Sequence, residues 1–275
     1  MNRLLFLVAF ILLSCDTESD FVDRDPDPEI FNFFNGFENA QGDVNNLLGA
    51  NPDQFSGIQI QNSSGGSNML SLVSSPVVSG STAMRVDALA TNGTLSKADI
   101  EKADLHASVG STISIAASYY IEGTADLTDL LLADLECCSC WDPNVPNNQC
   151  PGVRLMLKPN GYLGIERGKI LGSTLEQTQV SLPRDTWFRL RWESELDPTD
   201  AGMNRLYVDD VLVLEAAGAN MPNAEDFAAL FAAQGTTFQL QEPLFYERVQ
   251  LGATANPTAQ DVVMYIDDVE IQIMP

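Results

Sequence analysis

The segment from Trp187 to Asp197 has a strand-like composition and carries the side chains best suited to chemistry. Side chains alternate between the two faces of a strand, so the segment divides into two rows. One row is apolar, and the other holds an aromatic ring, two cations and three carboxylates: Trp187, Arg189, Arg191, Glu193, Glu195 and Asp197. Aromatic rings pack on the C–H faces of sugars, while charged groups hydrogen-bond sugar hydroxyls. The polar row predicts a glycan-binding surface or, alternatively, a solvated face held by cross-strand salt bridges.

The C-terminal segment 262–273 is rich in β-branched residues and predicts a long strand. One predicted face is apolar except for a single acidic residue: Val263, Tyr265, Asp267, Val269, Ile271 and Ile273. An ionised carboxylate on a core-facing row is unfavourable unless it is paired, hydrogen-bonded or bound to metal. Near the other end of the chain, Glu38 directly follows a strand-like aromatic segment, 33–37, and is a candidate partner for Asp267.

These two segments carry a resemblance to a known group of proteins. Gly36-Phe37-Glu38 and Tyr265-Ile266-Asp267-Asp268-Val269 resemble the paired edge motifs of calcium-containing β-jelly-roll domains. That group includes carbohydrate-binding modules and the concanavalin A-like lectins, glucanases and polysaccharide lyases. The resemblance implies that the first and last strands lie side by side and that Glu38 and Asp267 hold a structural calcium ion, which favours oxygen ligands. Alternatively, the two carboxylates only accept hydrogen bonds from backbone or arginine donors.

The resemblance also raises two enzymatic alternatives. Glucanases of this fold carry a Glu-x-Asp-x-Glu strand, and retaining glycosidases need two carboxyl groups about 5 Å apart. Here the order is Glu193, Glu195, Asp197, without the central aspartate, and the segment 134–136 is only a fragment of the pattern. Lyases of this fold use a histidine and a tyrosine, but the only histidine, His106, lies in a polar segment. We therefore expect glycan binding without catalysis and keep a lyase or hydrolase as the alternative.

Four cysteines lie close together in a loop-like segment: Cys137, Cys138, Cys140 and Cys150. In an exported protein they predict two disulfides, for which three connectivities are possible. We favour one bond within the segment and one that closes it from Cys150. A four-thiolate metal site is the alternative, although the spacing lacks two Cys-x2-Cys pairs. Trp141 in this segment is a further candidate for glycan binding.

The N-terminus predicts export and lipidation. A positive start, an apolar run of about ten residues and a small residue before Cys15 are typical of a secretory signal, and the run is too short to span a bilayer. Residues 12–15 resemble a bacterial lipobox with Cys15 as the lipidated residue, and the acidic segment that follows resembles the surface-export signal of Bacteroidetes lipoproteins. We therefore expect a signal peptide at 1–14, an acidic tether at 15–30 and one domain at 31–275. The expected location is the outer membrane, on the cell surface or on its periplasmic face.

Composition and charge limit the class of partner. The chain carries 14 Lys and Arg against 38 Asp and Glu, a formal net charge of −24. This field repels phosphate backbones and argues against nucleic acid, and more mildly against a strongly anionic glycan. About a dozen short strands with turn signals, and one helix over 222–234, predict an all-β antiparallel sandwich or jelly roll. We expect a lipid-anchored glycan-binding protein, with a structural or adhesive surface protein as a further alternative.

Overall fold

The structure is a computed structural model that describes residues 30–275 apart from 41, 62–67, 92–94, 141–150, 168–173, 234, 236 and 238–239. Strands dominate it, as the β-branched and aromatic runs of the sequence predict. The strands are β1 (Phe31–Asn35), β2 (Gly57–Gln61), β3 (Met69–Val73), β4 (Ala83–Ala88), β5 (Lys97–Lys102), β6 (Ala107–Ser108), β7 (Thr112–Ile121), β8 (Leu131–Glu136), β9 (Gly152–Leu157), β10 (Tyr162–Glu166), β11 (Thr174–Ser181), β12 (Trp187–Glu195), β13 (Met203–Val208), β14 (Val211–Ala217), β15 (Phe245–Tyr246), β16 (Arg248–Ala255) and β17 (Val262–Met274). The α-helix of this part of the chain is α1 (Ala224–Ala233).

The strands form two large antiparallel sheets that pack face to face. The eight-stranded sheet has the order β14-β13-β12-β7-β17-β4-β3, with β1 paired to β17. The seven-stranded sheet has the order β11-β10-β9-β8-β16-β5-β2, and β6 and β15 form a small separate ribbon. One continuous apolar cluster fills the space between the large sheets. The predicted fold class, an all-β antiparallel sandwich of jelly-roll type with one short helix, is confirmed.

Strand β12 shows why the sheets pack this way. Its side chains alternate in burial along the strand, and Phe188, Leu190 and Trp192 lie in the core. Trp192 is 2% exposed, and its indole N–H donates to Asn204 Oδ1 at 3.2 Å, so its polar atom is satisfied inside the apolar layer.

Strand β17 differs from the predicted alternation. A bulge between Asp267 and Glu270 shifts its register against β7. Before the bulge Met264 and Ile266 point into the core, whereas after it Val269 and the alternate residues that follow do so. The predicted single apolar face from 263 to 273 was therefore wrong for its first half, because one extra residue exchanges the two faces.

An asparagine side chain caps the start of helix α1. The Asn223 side chain accepts hydrogen bonds from the backbone N–H groups of Glu225 and Asp226, at 2.9 and 3.2 Å. Phe227 packs against the core from one face of this helix. No helix among the described residues combines the length and the apolar character needed to span a membrane.

Candidate functional site

The outer face of the seven-stranded sheet carries a dense row of polar side chains. Its strands alternate, so that apolar residues such as Ile100, Leu135 and Val249 point into the core and their neighbours point outward. We call the outward set the recessed face: Lys97, Asp99, Glu101, Asp134, Glu136, Arg154, Glu166, Arg248, Gln250 and Thr254. The register brings residues that are distant in sequence together, since Gln250 pairs with Glu101 on one side and with Asp134 on the other.

Burial distinguishes this set from an ordinary solvated face. Asp99 is 0% exposed, Gln250 is 1% exposed, and Asp134 and Glu136 are each 3% exposed. Charged side chains are rarely buried to this degree unless they are paired. These outward-pointing groups are therefore shielded from water by the side chains around them.

A hydrogen-bonded network ties four strands together across this recess. Arg248 donates to Glu136 from Nε at 2.9 Å and forms an ion pair with Glu101 at 3.2 Å. The side-chain amide of Gln250 donates to the same Glu101 oxygen at 3.1 Å, and that of Gln59, on β2, donates to it at 2.8 Å. The polar groups are therefore held in fixed positions before any ligand arrives.

Asp99 lies beside this network, on strand β5. Lys97 Nζ lies 3.4 Å from its Oδ2, and neither carboxyl oxygen has a hydrogen-bond partner. Burial raises the pKa of Asp99 to about 8; nearby Lys97 opposes this rise, whereas Asp134 and Glu101 add to it. Burial thus favours the neutral form of the Asp99 carboxyl group.

Bare backbone lies beside this carboxyl group. Gly252 pairs with Asp99 across β16 and β5, and it has a φ of +135°. A Cβ atom at Gly252 would lie 2.7 Å from the carbonyl oxygen of Ala98 and 3.2 Å from Asp99 Cβ, so a side chain does not fit there. Lys97 extends along the sheet in this region, because its ammonium donates to Gln250 Oε1 at 3.1 Å although residue 250 pairs with residue 101.

The row predicted from β12 lies on the opposite surface, the outer face of the eight-stranded sheet. Arg189 pairs with Glu270 at 3.0 Å, and Arg191 contacts Glu193 and stacks 3.7 Å above the ring of Tyr207. These side chains are more exposed than those of the recessed face: Arg189 is 31% exposed and Glu193 is 24% exposed.

The two ends of the predicted row have similar local partners. Glu195 pairs with Arg205 at 2.5 Å, and Trp187 packs edge-on against Tyr120 at 5.8 Å between ring centroids. Asp197 lies beyond the end of β12 and accepts hydrogen bonds from Thr199 instead of joining the row. Glycan binding by this row stays a prediction, and Trp141 lies outside the described residues.

The edge motifs meet at one loop. Strands β1 and β17 pair directly, with Asn35 opposite Val269, so the predicted neighbourhood of the first and last strands is confirmed. Asp267 accepts hydrogen bonds from the backbone N–H groups of Val78 and Ser79, at 3.0 and 3.4 Å. Burial raises the pKa of Asp267, and these N–H groups oppose the rise.

Glu38 binds the same loop from the other side. Its Oε1 accepts from the backbone N–H groups of Ser81 and Thr82, at 2.9 and 3.0 Å, and its Oε2 accepts from the Ser81 hydroxyl at 2.7 Å. The Ser81 hydroxyl and backbone N–H lower the pKa of Glu38. Oxygen donors of this type fit calcium, which takes six to eight of them. Within the described residues no three His, Cys, Asp or Glu side chains form a metal cluster, so carbonyl oxygens would have to complete the shell.

Two further predicted groups lie elsewhere. Cys137 and Cys140 form a disulfide, with 5.6 Å between their Cα atoms, which confirms one bond within the segment; Cys138 is also disulfide-bonded. Cys150 and Cys15 lie outside the described residues. His106 stacks on Phe245 at 4.2 Å beside the small ribbon and is not part of the recessed face.

With this geometry established, comparison with known proteins identifies the fold. No family model and no curated protein matches the sequence. The endo-β-1,4-glucuronan lyase of the fungus Trichoderma reesei superposes with a TM-score of 0.58 at 12% identity, over 79% of this chain and 90% of that chain. The cellulose-induced protein Cip1 superposes with a TM-score of 0.54 at 14% identity, over 86% and 95%. The fold is a polysaccharide-lyase-like jelly roll of the concanavalin A-like type. Identities this low establish the fold alone.

Sequence reasoning missed most of the recessed face. Only a polar segment around His106 was recognised in this part of the sequence, whereas Lys97–Lys102 is a strand that supplies Lys97, Asp99 and Glu101. The signal was present as charged or amide side chains at every second position in the segments 97–101, 134–136 and 248–250. Only the pairing of β5 and β8 with β16 shows that these segments share one surface.

Proposed function

We propose that this protein binds a polysaccharide along the recessed face of its seven-stranded sheet. The observation that carries the proposal is the burial of a hydrogen-bonded polar network on the outer side of a sheet, where a solvated face would expose it. The printed names of the two structural neighbours support a carbohydrate ligand, since one is a lyase of glucuronan and the other a protein induced by cellulose.

The chemistry of the recess suits sugar hydroxyls. Each hydroxyl both donates and accepts a hydrogen bond, and the recess offers carboxylate acceptors beside amide, ammonium and guanidinium donors. The side chain of Gln250 both donates and accepts, because its amide N–H donates to Glu101 and its carbonyl oxygen accepts from Lys97. Groups that already hold each other in place lose little conformational entropy when the ligand binds.

The charged row of β12 is the alternative binding surface, against which the recessed face is tested. Its charges are solvated and paired with neighbouring strands, which is the usual state of an exposed sheet face and contributes little to affinity.

The test is affinity electrophoresis of the full chain carrying Cys15→Ser through gels that contain plant, algal or host polysaccharides. We expect retardation by at least one polymer, a loss of about tenfold in affinity for Gln250→Ala, which removes one hydrogen-bonded contact, and no change for the matched variant Arg189→Ala.

Two results contradict the proposal. Retardation that Arg189→Ala or Trp187→Ala abolishes, while Gln250→Ala leaves it intact, would move the site to the β12 row. No retardation by any polymer would favour a structural or adhesive role. The same gels and solutions also test for a lyase, because cleavage would release unsaturated ends that absorb in the ultraviolet, and His106→Ala would abolish them if His106 were the base.

A lipid on Cys15 would hold this domain at the outer membrane. The acidic tether 15–30 separates the anchor from β1 and, because it is charged and interrupted by prolines, would keep the domain clear of the membrane. A glycan bound at the cell surface would thereby stay close to the cell.

Calcium at Glu38 and Asp267 would have a structural part. Both carboxylates bind the loop 78–82, so an ion between them would join that loop to the paired strands β1 and β17. The recessed face lies on the other sheet, so we expect calcium to support stability and not to contact the glycan.

A further inference from the structure

Resting on the proposed function, we infer that the recessed face takes an uncharged polysaccharide and that Asp99 contributes to its binding as a neutral carboxyl group. The fold does not determine the class of ligand. Two observations favour an uncharged polymer, namely the charge balance of the recessed face and the geometry around Asp99.

The charge balance of the recessed face is negative. Among the described residues, and without counting Asp99, it holds four carboxylates and three cations, namely Glu101, Asp134, Glu136 and Glu166 against Lys97, Arg154 and Arg248. A uronate polymer would add a further negative charge for each sugar that enters the recess. Like charges a few ångströms apart repel each other strongly where water screens them poorly.

The cations of this face already have neighbours. Arg248 bridges Glu101 and Glu136, whereas Lys97 donates to Gln250 Oε1 at 3.1 Å and lies beside the Asp99 carboxyl group. The third cation, Arg154, lies 3.9 Å from Glu166. A uronate carboxylate that took Arg248 from its partners would leave buried carboxylates behind, which is strongly unfavourable. A sugar hydroxyl needs no such exchange.

The surroundings of Asp99 favour its neutral form. The groups that face it are Lys97 and Glu101 on its own strand, Asp134 on β8, and the uncharged Gln59 on β2. On β16 it faces Gly252, which has no side chain, and Thr254 there donates its hydroxyl to Asp134 at 3.1 Å. The surroundings thus offer one cation and two carboxylates, and the neutral form of Asp99 is favoured.

A neutral carboxyl group offers one O–H donor and one carbonyl acceptor, the pair that a sugar hydroxyl complements. Asp99 is buried beside bare backbone at Gly252, with neither oxygen hydrogen-bonded, so its hydrogen-bonding capacity is unused in the free protein. Lys97 is the neighbour whose flexible side chain extends past it towards Gln250. Rotation of this one side chain would open Asp99 to the ligand, while Gln250 retains its bond to Glu101.

The experiment measures binding to matched polymers by the full chain carrying Cys15→Ser, at pH 6, 7, 8 and 9. Hydroxyethyl cellulose, mixed-linkage β-glucan, xyloglucan and galactomannan are the uncharged set, and glucuronan, alginate and polygalacturonate are the uronate set. We expect an uncharged polymer to bind at least tenfold more tightly than any uronate. We also expect its affinity to fall by about fivefold from pH 8 to pH 9, as Asp99 ionises.

Variants separate the two parts of the inference. Asp99→Asn keeps one donor and one acceptor without a charge, so it should bind with an affinity that does not change with pH. The control Glu215→Gln, an exposed position on β14, should keep the wild-type fall. A fall that persists in Asp99→Asn overturns the role of Asp99, and tighter binding of a uronate by the wild-type protein overturns the ligand class without any variant. Failure to bind any polymer would instead refute the proposed function.

Discussion

Replacing Asp99 by asparagine should flatten the pH dependence of folding stability. The carboxyl group has a pKa of about 8 in the folded protein, against about 4 in an unfolded chain. Between these values the folded state holds a proton that the unfolded state has released. Stability is therefore greatest below the unfolded pKa, falls by about 1.4 kcal/mol per pH unit as the pH rises, and levels off above the folded pKa.

The expected loss of stability depends on how much of the pH range between the two pKa values of Asp99 a denaturation experiment can cover. From pH 6 to pH 8 the wild-type protein should lose about 2 kcal/mol more stability than Asp99→Asn, after allowance for the rounding of the titration near pH 8. Lys97 remains hydrogen-bonded to Gln250 in the variant, so the amide removes the titration without leaving that ammonium unpartnered.

Urea denaturation followed by tryptophan fluorescence measures this difference, because Trp192 is buried in the core and reports its exposure to water. Glu215→Gln, which removes a 52% exposed carboxylate from β14, is the control and should parallel the wild type. Parallel stability curves for Asp99→Asn and wild type would refute the reasoning, since Asp99 would then be ionised throughout the range and balanced by Lys97.

Three further predictions test the core, the edge motifs and the anchor. Trp192→Ala should cost about 3–5 kcal/mol of unfolding free energy in denaturation experiments, whereas Val211→Ala, at a position 64% exposed, should change it by less than about 0.5 kcal/mol. Calcium should raise the melting temperature of the wild type and a chelator should reverse this, whereas Glu38→Gln should respond to neither; equal responses would argue against the calcium site. In cells fed labelled palmitate, the wild-type protein should carry the label and fractionate with membranes, and Cys15→Ser should do neither; a label that persists would contradict lipidation at this residue.

Local signals in the sequence predicted the parts of the fold that depend on local physics. The alternation of β12 follows from the pleat of a strand, and the start of α1 follows from the side chain of Asn223 as a cap. The pairing of β1 with β17 was predicted from the resemblance of two motifs to a known group of proteins, and not from the physical properties of either segment. The bulge at 267–270 was missed because it is formed by ordinary L-residues, with Asp268 at a φ of +48°, a conformation that aspartate tolerates better than most residues.

The recessed face was missed for a reason of topology. Polar residues at every second position look the same whether that face of the sheet is open to water or lies in a recess. What distinguishes Asp99 from Glu195 is its environment, and the strands that create this environment are β8 and β16, which lie far from β5 in the sequence. Burial at Asp99 is therefore a property of strand order, which a pattern along one strand does not encode.

The carboxyl groups on the two outer faces of the sandwich differ in their exposure to water and in their partners. On the eight-stranded sheet, carboxylates such as Glu195 stay partly in water and pair with a cation of the adjacent strand, so each can ionise at little cost. On the recessed face the carboxyl groups outnumber the cations and are more deeply buried, which favours the protonated form of Asp99, whose oxygens have no hydrogen-bond partner. A surface of this kind has little capacity for further negative charge but retains unused donors and acceptors. That combination favours hydroxyl groups over carboxylates, and for this reason we assign the recessed face, and not the more exposed charged row of β12, to an uncharged glycan.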